Sequence, residues 1–421
     1  MTRVGEVDDP FAANLRDWAQ ATEWGSTSRM NELETLMWRS ERHPRTSSTI
    51  CNLMILDAVP DWKRLHAAHD WAAKLIPRLR QHVVEPALPI GTPAWAIDEA
   101  FDIDYHVRRA HLPDPGGMPE LLTLAQNNAM APLDRTRPLW EAILIEGLPE
   151  GKSAYFLKLH HSLTDGLGGV QLLSLLQSRT REHTPKDPVS ETSGSGEPND
   201  SAVLALQELA EGAQHMPSVV GGLIATCAKV IVNPFGAAAS GVRFAASARR
   251  MLPPPPAPGS PLLAQRYGKV WRFGVLECQL SGLKAAAKAA GGSVNDAYIA
   301  ALLGGMRRYH ERYDVSLLEM PMAMPMSIRK ADDPMGGNRF AGALFAAPIG
   351  ITDPAKRIAA IREIVISLRA EPALGSLEVI MPLLNRFPSG IGAMALRVGA
   401  AADFSASNVP GIPHPVYLAG A

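Results

Sequence analysis

Two adjacent histidines, His160 and His161, end an apolar run, Asp165 follows four positions after the second, and Gly166, Gly168 and Gly169 come next. Alternation along the run puts Tyr155, Leu157, Leu159 and His161 on one face of a strand and Phe156, Lys158 and His160 on the other. Burial on an apolar face disfavours the imidazolium, and an imidazole that stays neutral near pH 7 is suited to act as a general base. Asp165 falls in the following turn, where its carboxylate can accept N–H groups of that turn or pair with a distant arginine. The glycines allow positive φ and close approach of a substrate or another strand. Two blander readings fit the same residues. One is a structural histidine pair satisfied at a strand end. The other is a metal site, against which stands the lack of a third His or Cys at ligand spacing nearby.

The surrounding segments must position this stretch. From Met30 the pattern predicts a short helix with Asn31 as N-cap and Leu33, Leu36 and Met37 on one face. Residues 49–58 read as a buried strand and 61–79 as a helix carrying His66 and His69 at or near its surface. Residues 93–111 are extended and aromatic-rich, with His106 a structural strand histidine, and 121–129 are helical. A turn built on Pro132, Asp134 and Pro138 delivers Trp140 into a strand over 139–145. After the glycines an amphipathic helix is expected over 170–181, with Val170, Leu173 and Leu176 inward.

Beyond a Pro-, Ser- and Gly-rich stretch (184–201) helical periodicity resumes over 201–213. Residues 216–250 are small and apolar, suited to close helix packing or to a patch touching lipid or lining a substrate site. The proline tract at 252–261 marks a boundary between halves. A strand is expected over 270–280, a helix capped by Ser281 to Ala290, and a longer helix over 293–309 whose first turn Asn295 and Asp296 can satisfy. A strand over 320–329 ends at Arg329 and leads to the loop 336–340. A helix follows over 354–369, then a turn centred on Pro410 and Gly411.

The chain has 421 residues, with 41 basic and 42 acidic side chains and a formal charge of −1. That balance gives no basic footprint for nucleic acid or polybasic grip on anionic lipid. Three cysteines far apart, Cys51, Cys227 and Cys278, argue against a disulfide framework and fit a reducing compartment. The polar start carries no signal-peptide core, and no apolar run reaches the roughly 18 residues a bilayer span needs. The division expected is a polar extension (1–29), an N-terminal half with the histidines (30–183), a linker with crossover helices (184–261) and a C-terminal half (262–421).

HHSLTDG fits the HHxxxDG pattern of the superfamily with the chloramphenicol acetyltransferase-like fold, which includes condensation domains and many acyl-CoA-dependent acyltransferases. PLDRTRPLWE, a strand ending in EGL, and HHxxxDG a short hairpin later resemble, in that order, the bacterial wax ester synthase/diacylglycerol acyltransferase family. FDIDYHVRRAHLPDPGG, the Asn295–Asp296 pair, the strand to Arg329 with its GGNRF loop, and SNVPG near the end are similar to further segments of that family.

The resemblance implies an α/β fold of two chloramphenicol acetyltransferase-like subdomains, mixed sheets with flanking helices around a central tunnel. It implies transfer of a long-chain acyl group from acyl-CoA, a co-substrate with no other cofactor or metal, to diacylglycerol or a fatty alcohol. His161 would be the base, His160 would hold the loop, and Asp165 would orient it. Arg329 is the implied partner of Asp165, unless it faces solvent. Asn295 and Asp296 would act through fold integrity. The Gly166 backbone, or Ser405, Ser407 and Asn408, would face the oxyanion, unless the latter form only a structural turn. A cytoplasmic protein is expected, with peripheral contact at the inner membrane face or lipid bodies and no nucleic-acid partner. Family members continue past the last strand, so the stop at Ala421 leads us to expect a missing terminal element and an open edge. Rival readings are a lipid-binding relative without activity, a same-fold acyltransferase with another acceptor, and a metal-dependent hydrolase.

Overall fold

The strand that carries the histidines, β6 (Ser153–His160), lies inside a mixed sheet with the order β1 (Thr49–Leu56), β6, β5 (Trp140–Glu146), β4 (Val107–His111). Both β1 and β5 run antiparallel to β6, whereas β4 pairs parallel with β5. The computed structural model describes residues 21–41, 47–87, 91–182, 257–264, 270–327, 336–370 apart from Arg339, and 402–421 apart from Pro410 and Pro413, with a few single positions between 183 and 256. The linker, residues 252–256 of the proline tract, the small apolar stretch 216–250 and Arg329 fall outside them.

Both faces of β6 are covered. Tyr155, Leu157 and Leu159 join one apolar cluster with α2 (Trp62–Leu75) and α5 (Gly166–Leu176), while Ala154 and Phe156 join another with α4 (Met118–Met130). An interior strand between two helical layers is buried at every position, so even Lys158 is only 1% exposed, its Nζ donating to the Ala131 carbonyl at 2.7 Å. β1, expected to be buried, is half-buried with Ile55 exposed, because β6 flanks it on one side only.

The N-terminal helices follow their cap signals. In α1 (Glu32–Ser40) Asn31 Oδ1 accepts the Glu34 N–H at 2.8 Å and Glu34 Oε2 accepts the Asn31 N–H at 3.0 Å, a reciprocal capping box. In α2, His69 is not at the surface. It lies one turn from Leu65 on the apolar stripe, and its ring bridges the Leu65 carbonyl and the Tyr155 hydroxyl at 2.7 Å each. Burial pushes its pKa down to about 4. β2 (Gln81–Val84) and β3 (Ala94–Ile97) pair in a small hairpin-like sheet. His106 ends the single turn α3 (Ile103–His106), stacked on Trp140 at 4.6 Å, a packing role in a helical turn instead of the expected strand.

In the C-terminal half β7 (Met320–Ser327) lies between β8 (Phe340–Ala347) and the short β9 (Phe404–Ser405). Helices α6 (Leu280–Ala289), α7 (Val294–Glu311) and α8 (Pro354–Ala370) belong to this half. Ile299, Leu303, Met322, Met324, Phe345, Ile361 and Val365 form its core. Residues 270–279 form no strand: the Trp271 N–H meets Met130 Sδ and its carbonyl faces the Gln126 side-chain amide, both on α4, not a sheet edge. Two segments thus reach from this half to the other, since Trp271 and Phe273 pack beside Phe156 and the 417–421 segment does the same further on. Ser178 and Tyr417 exchange backbone hydrogen bonds of 2.9 Å, and Leu418, 1% exposed, enters the same cluster as Tyr155. No helix among the described residues is long and apolar enough to cross a membrane.

Candidate active site

The histidine turn is clamped from two sides. The His161 N–H donates to the Ser48 carbonyl at 2.6 Å beside β1. On the other side the Asp165 N–H donates to the Gly337 carbonyl at 3.1 Å, and Thr164 forms a bridge with Gly337. Gly336 and Gly337 have φ of 73° and 63°, and a Cβ on Gly336 would stand 2.2 Å from the Trp24 ring. The loop can therefore press against the turn only with glycine at these positions.

Asp165 is the N-cap of α5, its Oδ1 accepting the Gly168 N–H at 2.9 Å, so the helix starts at Gly166 and ends at Leu176, earlier at both ends than its apolar pattern suggests. None of Gly166, Gly168 and Gly169 has positive φ; all three are helical. Their use is close approach. A Cβ on Gly168 would lie 1.9 Å from Thr164 Oγ1 and 3.2 Å from Gly336 Cα, and one on Gly166 would lie 3.0 Å from Val409 Cγ2, whereas Gly169 faces open space.

His160 points away from His161. Its Nδ1 accepts the Ser162 N–H at 3.0 Å and its Nε2 lies 2.9 Å from Glu41 Oε2, with Trp38 edge-on at 5.6 Å. Burial raises the Glu41 carboxyl, but His160, the Ser48 N–H and Arg135 outweigh it and hold the group below the usual carboxylate value. Contacts on both sides make His160 a brace between α1 and the turn.

The ring of His161 meets Asn338. Its Nδ1 lies 2.9 Å from Asn338 Oδ1, and Asn338 Nδ2 donates to the His161 carbonyl at 2.7 Å. The second bond fixes the amide, since turning it over would set Oδ1 against a carbonyl oxygen. An amide oxygen only accepts, so Nδ1 carries the proton and the lone pair of the neutral ring is on Nε2. Burial lowers the pKa of His161, the Asn338 bond raising it in part. The result is a neutral imidazole with a fixed tautomer.

The other anticipated residues lie further out. Asp296, fully buried, belongs to the capping box of α7: Ser293 Oγ accepts the Asp296 N–H at 3.3 Å and Asp296 accepts the Ser293 N–H at 2.7 Å. The cap is therefore Ser293, while Asn295 faces Met324 Sδ at 4.0 Å. Ser405 ends β9 alongside Ala323, and Ser405, Ser407 and Asn408 are exposed; their turn meets the histidine segment through Val409 and Gly166. Arg329 lies outside the described residues. Asn338 and Glu41 carried no sequence assignment. The Gly-Gly-Asn spacing of the 336–340 loop was the only signal for the former; nothing marked the latter. No group of three or more His, Cys, Asp or Glu side chains that could hold a metal ion is assembled among the described residues.

The sequence model of the wax ester synthase/diacylglycerol acyltransferase catalytic domain matches residues 29–298, and that of the WS/DGAT C-terminal domain matches 336–421. The chain is 37% identical over 417 residues to "Putative diacyglycerol O-acyltransferase Rv2484c" of Mycobacterium tuberculosis H37Rv, covering 95% of this chain and 82% of that one. It is 31% identical over 352 residues to "Probable diacyglycerol O-acyltransferase tgs2" of the same strain, covering 81% and 74%. Among solved structures, a wax ester synthase/diacylglycerol acyltransferase from Marinobacter aquaeolei VT8 superposes over 93% of this chain and 84% of that one, with a TM-score of 0.58 at 20% identity. The first condensation domain of the calcium-dependent antibiotic synthetase, in complex with substrate analogue 2a, covers 93% and 83% with a TM-score of 0.54 at 15% identity. These two likenesses are likenesses of fold: α/β, with mixed sheets and flanking helices.

Proposed function

Because the chain belongs to the wax ester synthase/diacylglycerol acyltransferase family, we propose that it is an acyl-CoA-dependent O-acyltransferase, moving a long-chain acyl group to diacylglycerol and also to long-chain alcohols. The observation that carries this reading is the His161–Asn338 pair, which leaves a neutral imidazole with its lone pair on Nε2. His161 Nε2 takes the proton of the acceptor hydroxyl as its oxygen attacks the thioester carbonyl. The tetrahedral intermediate then expels the CoA thiolate, and the imidazolium returns the proton to it. General-base help contributes about 10²–10⁴-fold, or about 3–5 kcal/mol. An oxyanion donor adds about 3–4 kcal/mol. The Gly166 N–H, at the first position of α5 where backbone N–H groups have no intrahelical acceptor, is our candidate, with the 405–408 turn as its alternative. The direct attack needs no serine or cysteine nucleophile and no cofactor beyond acyl-CoA. Peripheral contact with a membrane or lipid body would bring the insoluble acceptor to the site.

The test offers purified protein labelled palmitoyl-CoA with either diacylglycerol or hexadecanol, and follows labelled ester and free CoA in equal amounts. Rapid-quench mass spectrometry should find no acylated protein. CoA release without ester, or a covalent acyl-protein, would overturn the reading. A pH dependence follows as well. The neutral form of His161 is the active one, so the rate rises with pH through its pKa and is flat above. Because burial holds that pKa below the ordinary imidazole value of about 6.5, the acid limb of kcat is expected below pH 6.5, with a plateau through pH 7–8.

A further inference from the structure

Behind Asn338 stands a second, buried acidic side chain. Glu34, in the first turn of α1, is 7% exposed and lies against the 336–338 loop, its Oε1 3.9 Å from where a Cβ on Gly337 would stand, with Asn338 a hydrogen-bond partner through its backbone and its side chain. The same carboxylate accepts the Asn31 N–H at 3.0 Å, so three N–H groups converge on it. Burial raises the Glu34 carboxyl above its usual range, and the buried Arg78 is the largest influence opposing that; Arg78 stacks over Trp95 at 4.1 Å and is anchored through Nη2 to the Thr27 carbonyl and hydroxyl, both at 2.9 Å. A capping box needs only one of those three contacts.

We propose that Glu34 is a positioning residue that acts through Asn338: by accepting N–H groups of that residue it holds the amide with Oδ1 toward His161 Nδ1, and so keeps the lone pair of the histidine on Nε2. The inference rests on reading His161 as the base. A carboxylate accepts on both oxygens, whereas a glutamine offers one acceptor and one donor. Capping boxes use Gln as well as Glu, so Glu34→Gln keeps the start of the helix with its oxygen on Asn31 and turns its NH₂ against the donors of Asn338. Turning over relieves the side-chain part of that clash, at the expense of the Asn338 bond to the His161 carbonyl, so in wild type Glu34 and that carbonyl hold the amide together. The turned amide presents Nδ2 to His161 Nδ1, which moves the ring proton to Nε2.

The experiment uses the full chain with ring-¹⁵N-labelled histidine, the His161 signals being assigned by their loss in His161→Ala. Wild type should show protonated Nδ1 and Glu34→Gln a shift toward protonated Nε2. The kcat of Glu34→Gln should fall about 10- to 100-fold with KM for acyl-CoA unchanged. The double variant Glu34→Gln/Asn338→Ala should be no slower than Asn338→Ala alone. A wild-type tautomer and rate in Glu34→Gln, or additive losses in the double variant, would overturn the proposal. If Glu34→Gln does not fold, Asn338→Ala removes the same link from the other end and must free the tautomer too. If wild type makes no ester, the reading of the function fails, and the nitrogen shifts alone still decide whether Glu34 sets the tautomer.

Discussion

Replacing His161 by alanine is expected to lower kcat for ester formation by about 10²–10⁴-fold while leaving KM for acyl-CoA within a few-fold of wild type. The substitution removes the imidazole whose Nε2 is proposed to take the proton, and its neighbour His160 cannot replace it, being occupied by Glu41 and the Ser162 N–H. The fold should survive. The side chain is half-buried at the end of the strand, and losing its bond to Asn338 costs about 1 kcal/mol plus a part-buried amide oxygen left to water. Thermal melting alongside the assay separates the two effects. A variant that melts as wild type and retains its rate would remove His161 from the chemistry, and one that loses both would show that the ring is needed for the fold.

The second large effect is expected from Gly168→Ala. In an exposed helix interior this change removes glycine's penalty and stabilises by about 1 kcal/mol. Here the new methyl would lie 1.9 Å from Thr164 Oγ1, with Thr164 fully buried and the backbone of Gly336 at 3.2 Å behind it. Forced overpacking of this kind costs about 1–3 kcal/mol, which outweighs the propensity gain. Relief requires the 164–168 turn and the 336–338 loop to move apart, and those are the two segments that bring Asn338 to His161. Denaturant unfolding should therefore show a lower midpoint, and activity should drop well beyond the fraction unfolded. Gly169→Ala, with nothing within 4 Å of the added methyl, is the matched control and should be neutral to stabilising. Equal behaviour of the two alanines would contradict the close-packing account.

Most of the elements were legible because their signals are local. The Asn31 cap, the β5–β6 pair and the helices α4, α7 and α8 follow from period, cap residue and turn chemistry. What could not be read is what depends on partners distant in sequence. Residues 270–279 have strand-like composition, yet the Trp271 backbone meets side chains of α4. His69 counted as surface until Tyr155, 86 residues on, supplied its partner. The same distinction holds at the site. The histidine pair and the aspartate announce themselves as a motif, but Asn338 is 177 residues away and its role lies in an orientation, set by two hydrogen bonds that no spacing encodes. Glu34 carried no sequence assignment; the structure makes it the third helical residue of the α1 capping box, across from Asn31.

The docking of Leu418 into the first half's core bears on the order in which the molecule can acquire its structure. Ser178 and Tyr417 are 239 residues apart, so the core around Tyr155 cannot be completed during synthesis until the second half has been made. Closing so long a loop is slow relative to forming local elements, which places the joining of the halves late in folding. The same stitch ties their melting together. Neither half can lose its packing without exposing part of the other's interior, so the protein should unfold as a single cooperative unit, and the geometry at His161 should persist until that transition.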